Sequence, residues 1–181
     1  MQTIDLILLG SVYQGPKSPY ELQKQIDERN LSRWVKIGSY TVYKKVVQYE
    51  TKGFVTGKTE RNGNMPEKTV YTITEKGRAH FKMLMNDLAK EQTRIFLDFN
   101  AVIVNLALLE GEEREKCVES IRNSISDTKI QLSESLTEHE NIPLYGKTIL
   151  KQQYMILETL EKWERDFENE LAEGEAKNGN D

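Results

Sequence analysis

Residues 41–77 read TVYKKVVQYETKGFVTGKTERNGNMPEKTVYTITEKG, and this stretch decides the fold. Its first part has the pattern of an amphipathic helix, because apolar residues recur at spacings of four and three, at Val42, Val46 and Tyr49. Thr41 precedes them and is a residue type that caps helix N-termini. The sequence therefore predicts a helix that begins at Thr41 and buries one stripe of its surface.

A β-hairpin is predicted directly after this helix. Gly53 provides the left-handed residue that commonly ends a helix. Residues 54–60 and 68–74 are rich in Val, Thr, Tyr and Phe, and a polar loop containing Asn62-Gly63 joins them. A helix followed by a hairpin with a basic loop is the arrangement of a winged helix. It turns a helix face and a cationic loop toward the same charged partner, most often duplex DNA.

The segment before this helix predicts two further helices. Residues 3–12 are almost wholly apolar and fit a buried first helix, which Gly15-Pro16 ends. The sequence Ser18-Pro19-Tyr20-Glu21 then has Ser as N-cap, Pro at the first helical position and Glu completing a capping box. We expect the second helix to run to about Arg29.

The second half of the chain has helical periodicity and no convincing strand. Its apolar residues recur in three segments, at 95–106, 118–136 and 149–171. The predicted fold class is mainly α with a small β-hairpin: a winged helix–turn–helix N-terminal domain and an all-helical C-terminal dimerisation domain. We predict domains at 1–90 and 91–171, and a disordered polar tail at 172–181.

The last predicted helix carries a wide apolar stripe. Its members follow at spacings of seven, four, three, four and four, at Ile149, Ile156, Leu160, Trp163, Phe167 and Leu171. A helix longer than its own small domain usually packs on another chain. The alternative is that the stripe is buried within the same chain. We favour a homodimer, because two-fold DNA readers need a partner to span two half-sites.

Charge is distributed unevenly along the chain. The net charge is −4, but residues 1–80 carry 13 Lys and Arg against 8 Asp and Glu, whereas residues 81–181 carry 12 against 21. A basic first half would be attracted to phosphates, and ordinary surface charge is the alternative. No apolar run is long enough to cross a bilayer, no signal-peptide pattern is present, and Cys117 is a single cysteine. We expect a cytoplasmic protein without a membrane partner.

Several of these motifs resemble the PadR family of bacterial transcriptional regulators. The resemblance rests on LILLGSVYQGPKSPYELQKQI at 6–26, Val42-Tyr43, the helix ending at Gly53-Phe54-Val55, and YTITEKGR at 71–78. It implies a winged helix–turn–helix, a homodimer joined by C-terminal helices, and repression of nearby genes. Some family members respond to small aromatic compounds, so such an effector is a further expected partner.

This chain departs from the family pattern at two positions near the start of the third helix. Tyr40 stands where the family commonly has Gly, and Lys44 stands where it commonly has Pro. Neither change should break the fold. We expect the preferred operator to differ from that of other members.

The residues predicted to contact double-stranded DNA lie in three groups. If Val42, Val46 and Tyr49 face the core, the predicted contacts from the third helix are Tyr40, Thr41, Tyr43, Lys44, Lys45 and Gln48. The hairpin contributes Lys58, Arg61, Asn62, Asn64 and Lys68. Ser18 and Tyr20 open the second helix and would touch the backbone. For each residue the alternative is an ordinary solvated side chain.

Catalysis is not indicated. His80 and His139 fall on separate predicted segments, and no metalloprotease, nucleophile-elbow or P-loop pattern occurs. We therefore predict no enzyme activity, no catalytic residues, no metal and no cofactor. The competing hypothesis to a DNA-binding repressor is a winged-helix module that contacts other proteins.

Overall fold

The computed structural model describes residues 2–31, 39–61, 67–138 and 142–178. The chain divides into two compact units, Met1–Arg94 and Ile95–Asp181. Within the described residues, the first unit holds four helices and a hairpin, and the second holds three helices. The fold class predicted from the sequence, mainly α with a small hairpin, is confirmed.

The first unit follows the predicted order of elements. In chain order these are α1 (Gln2–Tyr13), α2 (Pro19–Glu28), α3 (Ser39–Thr51), β1 (Val55–Glu60), β2 (Lys68–Ile73) and α4 (Glu75–Lys90). The strands pair antiparallel, from Val55 opposite Ile73 to Glu60 opposite Lys68. Lys17 adds an isolated antiparallel bridge to Tyr71, with N···O distances of 2.9 and 3.1 Å.

The end of α3 is fixed by a left-handed glycine, as predicted. Gly53 has φ of 72°. Its N–H donates to the Glu50 carbonyl and the N–H of Phe54 donates to the Tyr49 carbonyl, both at 2.8 Å. This is the Schellman pattern, which satisfies the last carbonyls of a helix and turns the chain into β1. The beginning of α3 differs from the prediction, because the helix starts at Ser39, so that Thr41 lies in its first turn.

One hydrophobic core unites the first unit. It takes residues from every element, so that α3 and the hairpin are held by the same cluster: Leu8, Leu9, Val12, Leu22, Ile26, Val42, Val46, Tyr49, Val55, Tyr71, Ile73 and Leu84. The stripe predicted on α3 is buried as expected, since Val42 and Val46 are 0% exposed and Tyr49 is 3% exposed. The outward face of α3 is thereby fixed.

The second unit is built on two long helices. It contains α5 (Asn100–Ile103), a 3-10 turn (Leu106–Leu108), α6 (Gly111–Glu138) and α7 (Leu144–Asn178). α6 packs on α7 and buries a stripe at Val118, Ile121, Ile125 and Leu132.

Ion pairs line this packing. Arg122 Nε lies 3.2 Å from an oxygen of Glu164, which is 3% exposed, and Arg122 also pairs with Glu168. Lys129 Nζ lies 2.6 Å from Glu161 Oε2.

Two predictions about this half need correction. The segment 95–106 is α-helical only at Asn100–Ile103, a single turn without a side-chain cap, and Leu106 begins a separate 3-10 turn. The tail, predicted to be disordered from residue 172, continues α7 to Asn178. Its Ala, Glu and Lys residues are strong helix formers, and this propensity outweighs the polar composition on which the prediction rested.

Candidate nucleic-acid interface

A groove opens on the first unit where three elements meet. The N-terminus of α2, the outward face of α3 and the start of β2 enclose about 880 Å³. The lining residues are Ser18, Pro19, Tyr20, Glu21, Lys24, Tyr43, Val47, Glu67, Lys68, Thr69 and Tyr71. The groove thus brings together Tyr20, Tyr43 and Lys68, predicted DNA contacts from three separate segments of the sequence.

The N-terminus of α2 is a complete capping box. Ser18 Oγ accepts from the Glu21 N–H at 3.3 Å, and the Ser18 N–H donates to Glu21 Oε2 at 2.7 Å. Lys68 Nζ lies 3.1 Å from Glu21 Oε1 and ties β2 to this helix end. The Ser18 backbone and hydroxyl, followed by Lys68, lower the pKa of Glu21 from 4.5 to about 2. Glu21 therefore stays ionised and orients Lys68.

The structure contradicts the predicted DNA contact at Ser18. The residue is 3% exposed, and its hydroxyl serves the cap of α2 by bonding Glu21. A hydroxyl that already satisfies a helix end is not available to a phosphate oxygen. Tyr20, two residues later, is 68% exposed and remains free to make the contact.

The outward face of α3 is exposed at the groove. Tyr43 is 50% exposed and Lys44 is also exposed. Thr41 and Gln48 are half-buried at the edges of this face. The side chain of Tyr40 lies outside the described residues. A phenol and an ammonium on one helix face are groups that donate to phosphate oxygens or base edges.

Lys45 is the second predicted DNA contact that the structure contradicts. It was predicted on the outward face, but it is 8% exposed, and its Nζ lies 2.6 Å from Oδ1 of Asp5 on α1. The Tyr49 hydroxyl donates to the same carboxylate oxygen at 2.6 Å. Burial, and then the Asp5 carboxylate, raise the pKa of Tyr49, which keeps its hydroxyl a donor. On a helical wheel, position 45 lies beside the buried stripe, and its ammonium therefore bonds to a residue within the fold.

The hairpin presents two exposed basic residues beyond the groove. Lys58 lies on β1 with its side chain 83% exposed and its Nζ 3.7 Å from Glu60, and Arg61 is exposed after the strand. The loop residues Asn62 and Asn64 lie outside the described residues.

Glu50 holds the hairpin against α3. Its Oε1 accepts from the Gly57 N–H at 2.9 Å. A Cβ at position 57 would lie 2.7 Å from this oxygen, so glycine permits the close approach.

Seven of the eleven groove residues were not predicted as DNA contacts, and Glu21, Lys24 and Val47 are among them. Val47 follows Tyr43 by four and Lys44 by three, so helical spacing was a signal that it shares their face. The pairing of Glu21 with Lys68 joins positions 47 residues apart, and no local pattern indicates it.

The second unit contains an aromatic stack and a cleft. The Trp163 ring stacks on Phe99 at 5.6 Å and on Phe167 at 5.5 Å between centroids. Beside the stack a cleft of about 320 Å³ is lined by Phe99, Val102, Lys116, Cys117, Ser120, Ile121 and Ser124. Phe99 belongs to both and joins them.

The predicted dimerisation stripe lies on α7 beside the helix face that contacts α6. Its residues are half-buried or exposed, and they are Ile149, Ile156, Leu160, Trp163, Phe167 and Leu171. At 100° per residue the stripe is centred about 90° from the face that carries Glu161, Glu164 and Glu168. Those three glutamates pair with α6, so most of the stripe is left beside that contact.

Neither a metal site nor a membrane-spanning helix is found in the part of the chain that the structure describes. No group of three or more His, Cys, Asp or Glu side chains there could hold a metal ion. None of the helices described has the length and apolar character needed to cross a bilayer.

The N-terminal part of the chain matches a known protein family. Residues 8–83 match the model of the transcriptional regulator PadR-like family. No curated protein matches the chain in sequence.

Solved structures resemble both units. PadR from Bacillus subtilis, solved in complex with operator DNA, has a TM-score of 0.75 at 18% identity, covering 92% of this chain and 97% of that one. The same protein with p-coumaric acid gives 0.71 at 15%, covering 91% and 92%. The PadR-like regulator BC1756 from Bacillus cereus gives 0.69 at 19%, covering 96% and 98%.

The matched segment contains the second half of α1, all of α2, α3 and the hairpin, and the first half of α4, which include the groove and most of its supporting core. The resemblance drawn from the sequence is thereby confirmed. The N-terminal unit of this chain thus matches the PadR-like family of transcriptional regulators over residues 8–83.

Proposed function

We propose that this chain is a homodimeric, sequence-specific DNA-binding repressor whose complex with its operator is released by a small aromatic compound. The observation that carries the proposal is the groove. It joins the outward face of α3, the exposed start of α2 and Lys68 in a unit that matches a family of transcriptional regulators. The family resemblance implies that the protein represses transcription. We expect it in the cytoplasm, where its DNA target lies.

The groups around the groove suit a duplex. Lys24 and Lys44 are exposed cations, and Tyr43 adds a hydroxyl on the same side as Lys44. We assign these three to phosphates or base edges at the centre of the contact. Lys58 and Arg61 extend the positive charge along the hairpin, where they would meet the adjacent backbone or minor groove.

Lys68 has a distinct role in this proposal. In the free protein its ammonium is 3.1 Å from Glu21. The pair is partly exposed, with side chains 45% and 44% accessible, so that solvent weakens it. An approaching phosphate can therefore share the ammonium without a large loss of stability.

A second copy of the chain would account for the surface of α7. The stripe defined above lies beside the contact with α6, and Ile156 within it is 37% exposed. At the N-terminal end of the same helix Tyr145, about 40° from the centre of the stripe, is 83% exposed. Apolar surface of this extent on one helix is typical of an interface. A dimer would also present two copies of α3 to two half-sites.

The cleft in the second unit is our candidate effector site. Phe99, Val102 and Ile121 form apolar walls, and Lys116 supplies a cation at the rim, although it pairs with Glu112 at 2.7 Å. A flat aromatic ring with a carboxylate would match both features. The Bacillus subtilis PadR structure with p-coumaric acid supports this class of ligand.

The proposal is tested by DNA binding as a function of salt. Duplex fragments retained by the purified full chain are recovered from genomic DNA, and their affinity is measured by fluorescence anisotropy. We expect log K to fall with log salt by about 0.9 for each phosphate neutralised. Lys44→Ala should reduce this slope, whereas Lys151→Ala, an exposed lysine of the second unit, should leave it unchanged.

The opposite result is equally specific. If no fragment is retained at low salt, the chain does not bind DNA, and the module that contacts other proteins is the better hypothesis. If fragments are retained but the two variants behave alike, the assignment of the contact to the groove is wrong.

A further inference from the structure

Val47 is an aliphatic side chain in the middle of a polar face. It is 56% exposed on α3 and lines the groove, with Tyr43 and Lys44 one turn before it. The hydrophobic cluster of the first unit, as the structure describes it, includes Val42 and Val46 of the same helix but not Val47. Val47 therefore contributes little to the packing of the core.

Local helix stability does not account for this residue either. A β-branched side chain loses rotamer freedom in a helix, so that valine is a weaker helix former than alanine or lysine. An exposed helical position with no packing partner favours those residues. The position of Val47 is explained if its methyl groups are covered when a partner fills the groove.

The chemistry of a duplex limits what can cover an aliphatic group there, and this step rests on the proposed function. In the major groove every base edge offers donors or acceptors, and thymine alone adds an apolar group, the 5-methyl. Valine has no donor or acceptor, so against cytosine or adenine it would leave an amino group unpaired. We propose that Val47 reads the 5-methyl group of a thymine and is a specificity-determining residue of this regulator.

The surrounding residues make this contact geometrically reasonable. Tyr20 and Tyr43 line the same groove as Val47 and are 68% and 50% exposed. Lys68 and Lys24 lie on the β2 and α2 sides and are suited to the phosphates. The cations would fix the backbone, while Val47 is left to meet a base edge.

The test replaces thymine by deoxyuridine, which pairs identically but lacks the 5-methyl. Duplexes bound by the full chain are first selected from a randomised library. Each thymine of the selected sequence is then changed singly to deoxyuridine. We expect one position in each half-site to bind about fourfold more weakly, the change that corresponds to burial of one methyl group. Changing both half-sites together should weaken binding about 15-fold.

Protein variants assign the effect to the residue. Val47→Ala should discriminate between the thymine and deoxyuridine duplexes at that position less than the unmodified chain does, because the two Cγ methyl groups are gone. Val104→Ala removes the same groups from another exposed valine, in the second unit, and should keep the discrimination. Val47→Ala exchanges an exposed residue for a stronger helix former, so the variant should fold.

Two results would overturn the inference. One is a selected duplex that no deoxyuridine substitution weakens, which refutes the role of Val47 but leaves DNA binding intact. The other is a sensitive position that Val47→Ala still discriminates as well as the unmodified chain. If no duplex is selected at all, the proposed function fails and this inference fails with it.

Discussion

Lys45 Nζ lies 2.6 Å from Oδ1 of Asp5, and this contact bonds α3 to α1. Both side chains are largely buried, at 10% and 20% exposure. The same oxygen accepts the hydroxyl of Tyr49 at 2.6 Å. One carboxylate thus organises two donors of α3, and it holds the helix while Tyr43 and Lys44 remain exposed.

Removal of this carboxylate should destabilise the first unit strongly. Asp5→Ala leaves a buried ammonium and a buried hydroxyl without their acceptor, so we expect a loss of about 3 kcal/mol or more. Lys45→Met should cost less, because Tyr49 keeps its bond to Asp5. Urea unfolding monitored by circular dichroism measures both. Asp27→Ala, at an exposed acid of α2, is the control and should change stability by no more than about 0.5 kcal/mol.

The same arrangement predicts a difference between neighbouring lysines in DNA binding. Lys44 is exposed and Lys45 is bonded to Asp5. Lys44→Ala should lower the salt dependence of log K by about 0.9 for each phosphate that the variant no longer neutralises. Lys45→Met should leave that slope unchanged, provided that the variant is measured where it is fully folded. An equal reduction in both variants would show that Lys45 leaves Asp5 to reach the duplex.

These lysines also show which features of α3 could be predicted from the sequence. The apolar spacing of Val42, Val46 and Tyr49 and the left-handed Gly53 sufficed to predict α3 and its end, because both are local effects. Lys45 could not be assigned with the same rules. Its environment depends on Asp5, which is 40 residues away in the sequence and reaches Lys45 only through the packing of α1.

In the groove, too, some features could be predicted from the sequence and others could not. The cap at Ser18 was predicted from four consecutive residues and is confirmed. The bond between Glu21 and Lys68 depends on tertiary structure, as does the burial that removes Ser18 from the surface. Local patterns therefore predicted which elements form the groove but not which side chains are free within it.

Glu21 should make the stability of the first unit depend on acid pH. Its pKa is lowered from 4.5 to about 2 in the folded chain, so the unfolded chain binds the proton more readily. The contribution is present above pH 4.5 and is lost as pH falls from 4.5 toward 2. Because the carboxylate is partly exposed, we expect about 1 kcal/mol, the size of a helix cap.

The measurement compares urea unfolding of the chain with that of Glu21→Gln at pH 7 and pH 3. The difference in stability between them should shrink at the lower pH. A difference that stays constant would mean that the charge of Glu21 contributes nothing to the cap.

Gly77 should not tolerate alanine although it lies in a helix. A Cβ at this position of α4 would overlap the Phe54 carbonyl oxygen and lie 2.8 Å from Ile73 Cγ1. Alanine ordinarily stabilises a helix relative to glycine by about 1 kcal/mol, but overpacking costs about 1–3 kcal/mol and should prevail where the obstacle is backbone. Gly174→Ala is the matched control, since no atom lies within 4 Å of its Cβ. Thermal unfolding should give a lower midpoint for Gly77→Ala and an equal or higher one for Gly174→Ala.

The stripe on α7 predicts which substitutions dissociate the proposed homodimer. Phe167 stacks on Trp163 within the stripe, whereas Met155, 56% exposed on the same helix, lies about 120° from the centre of the stripe. Phe167→Asp would bury a charge between two copies, which is strongly unfavourable without a partner. Sedimentation at several concentrations should show a shift from twice the mass of one chain to a single chain. Met155→Asp introduces the same charge outside the stripe and should remain dimeric. Helix content measured on both variants separates dissociation from unfolding. Should Met155→Asp dissociate and Phe167→Asp stay paired, another face of α7 forms the interface.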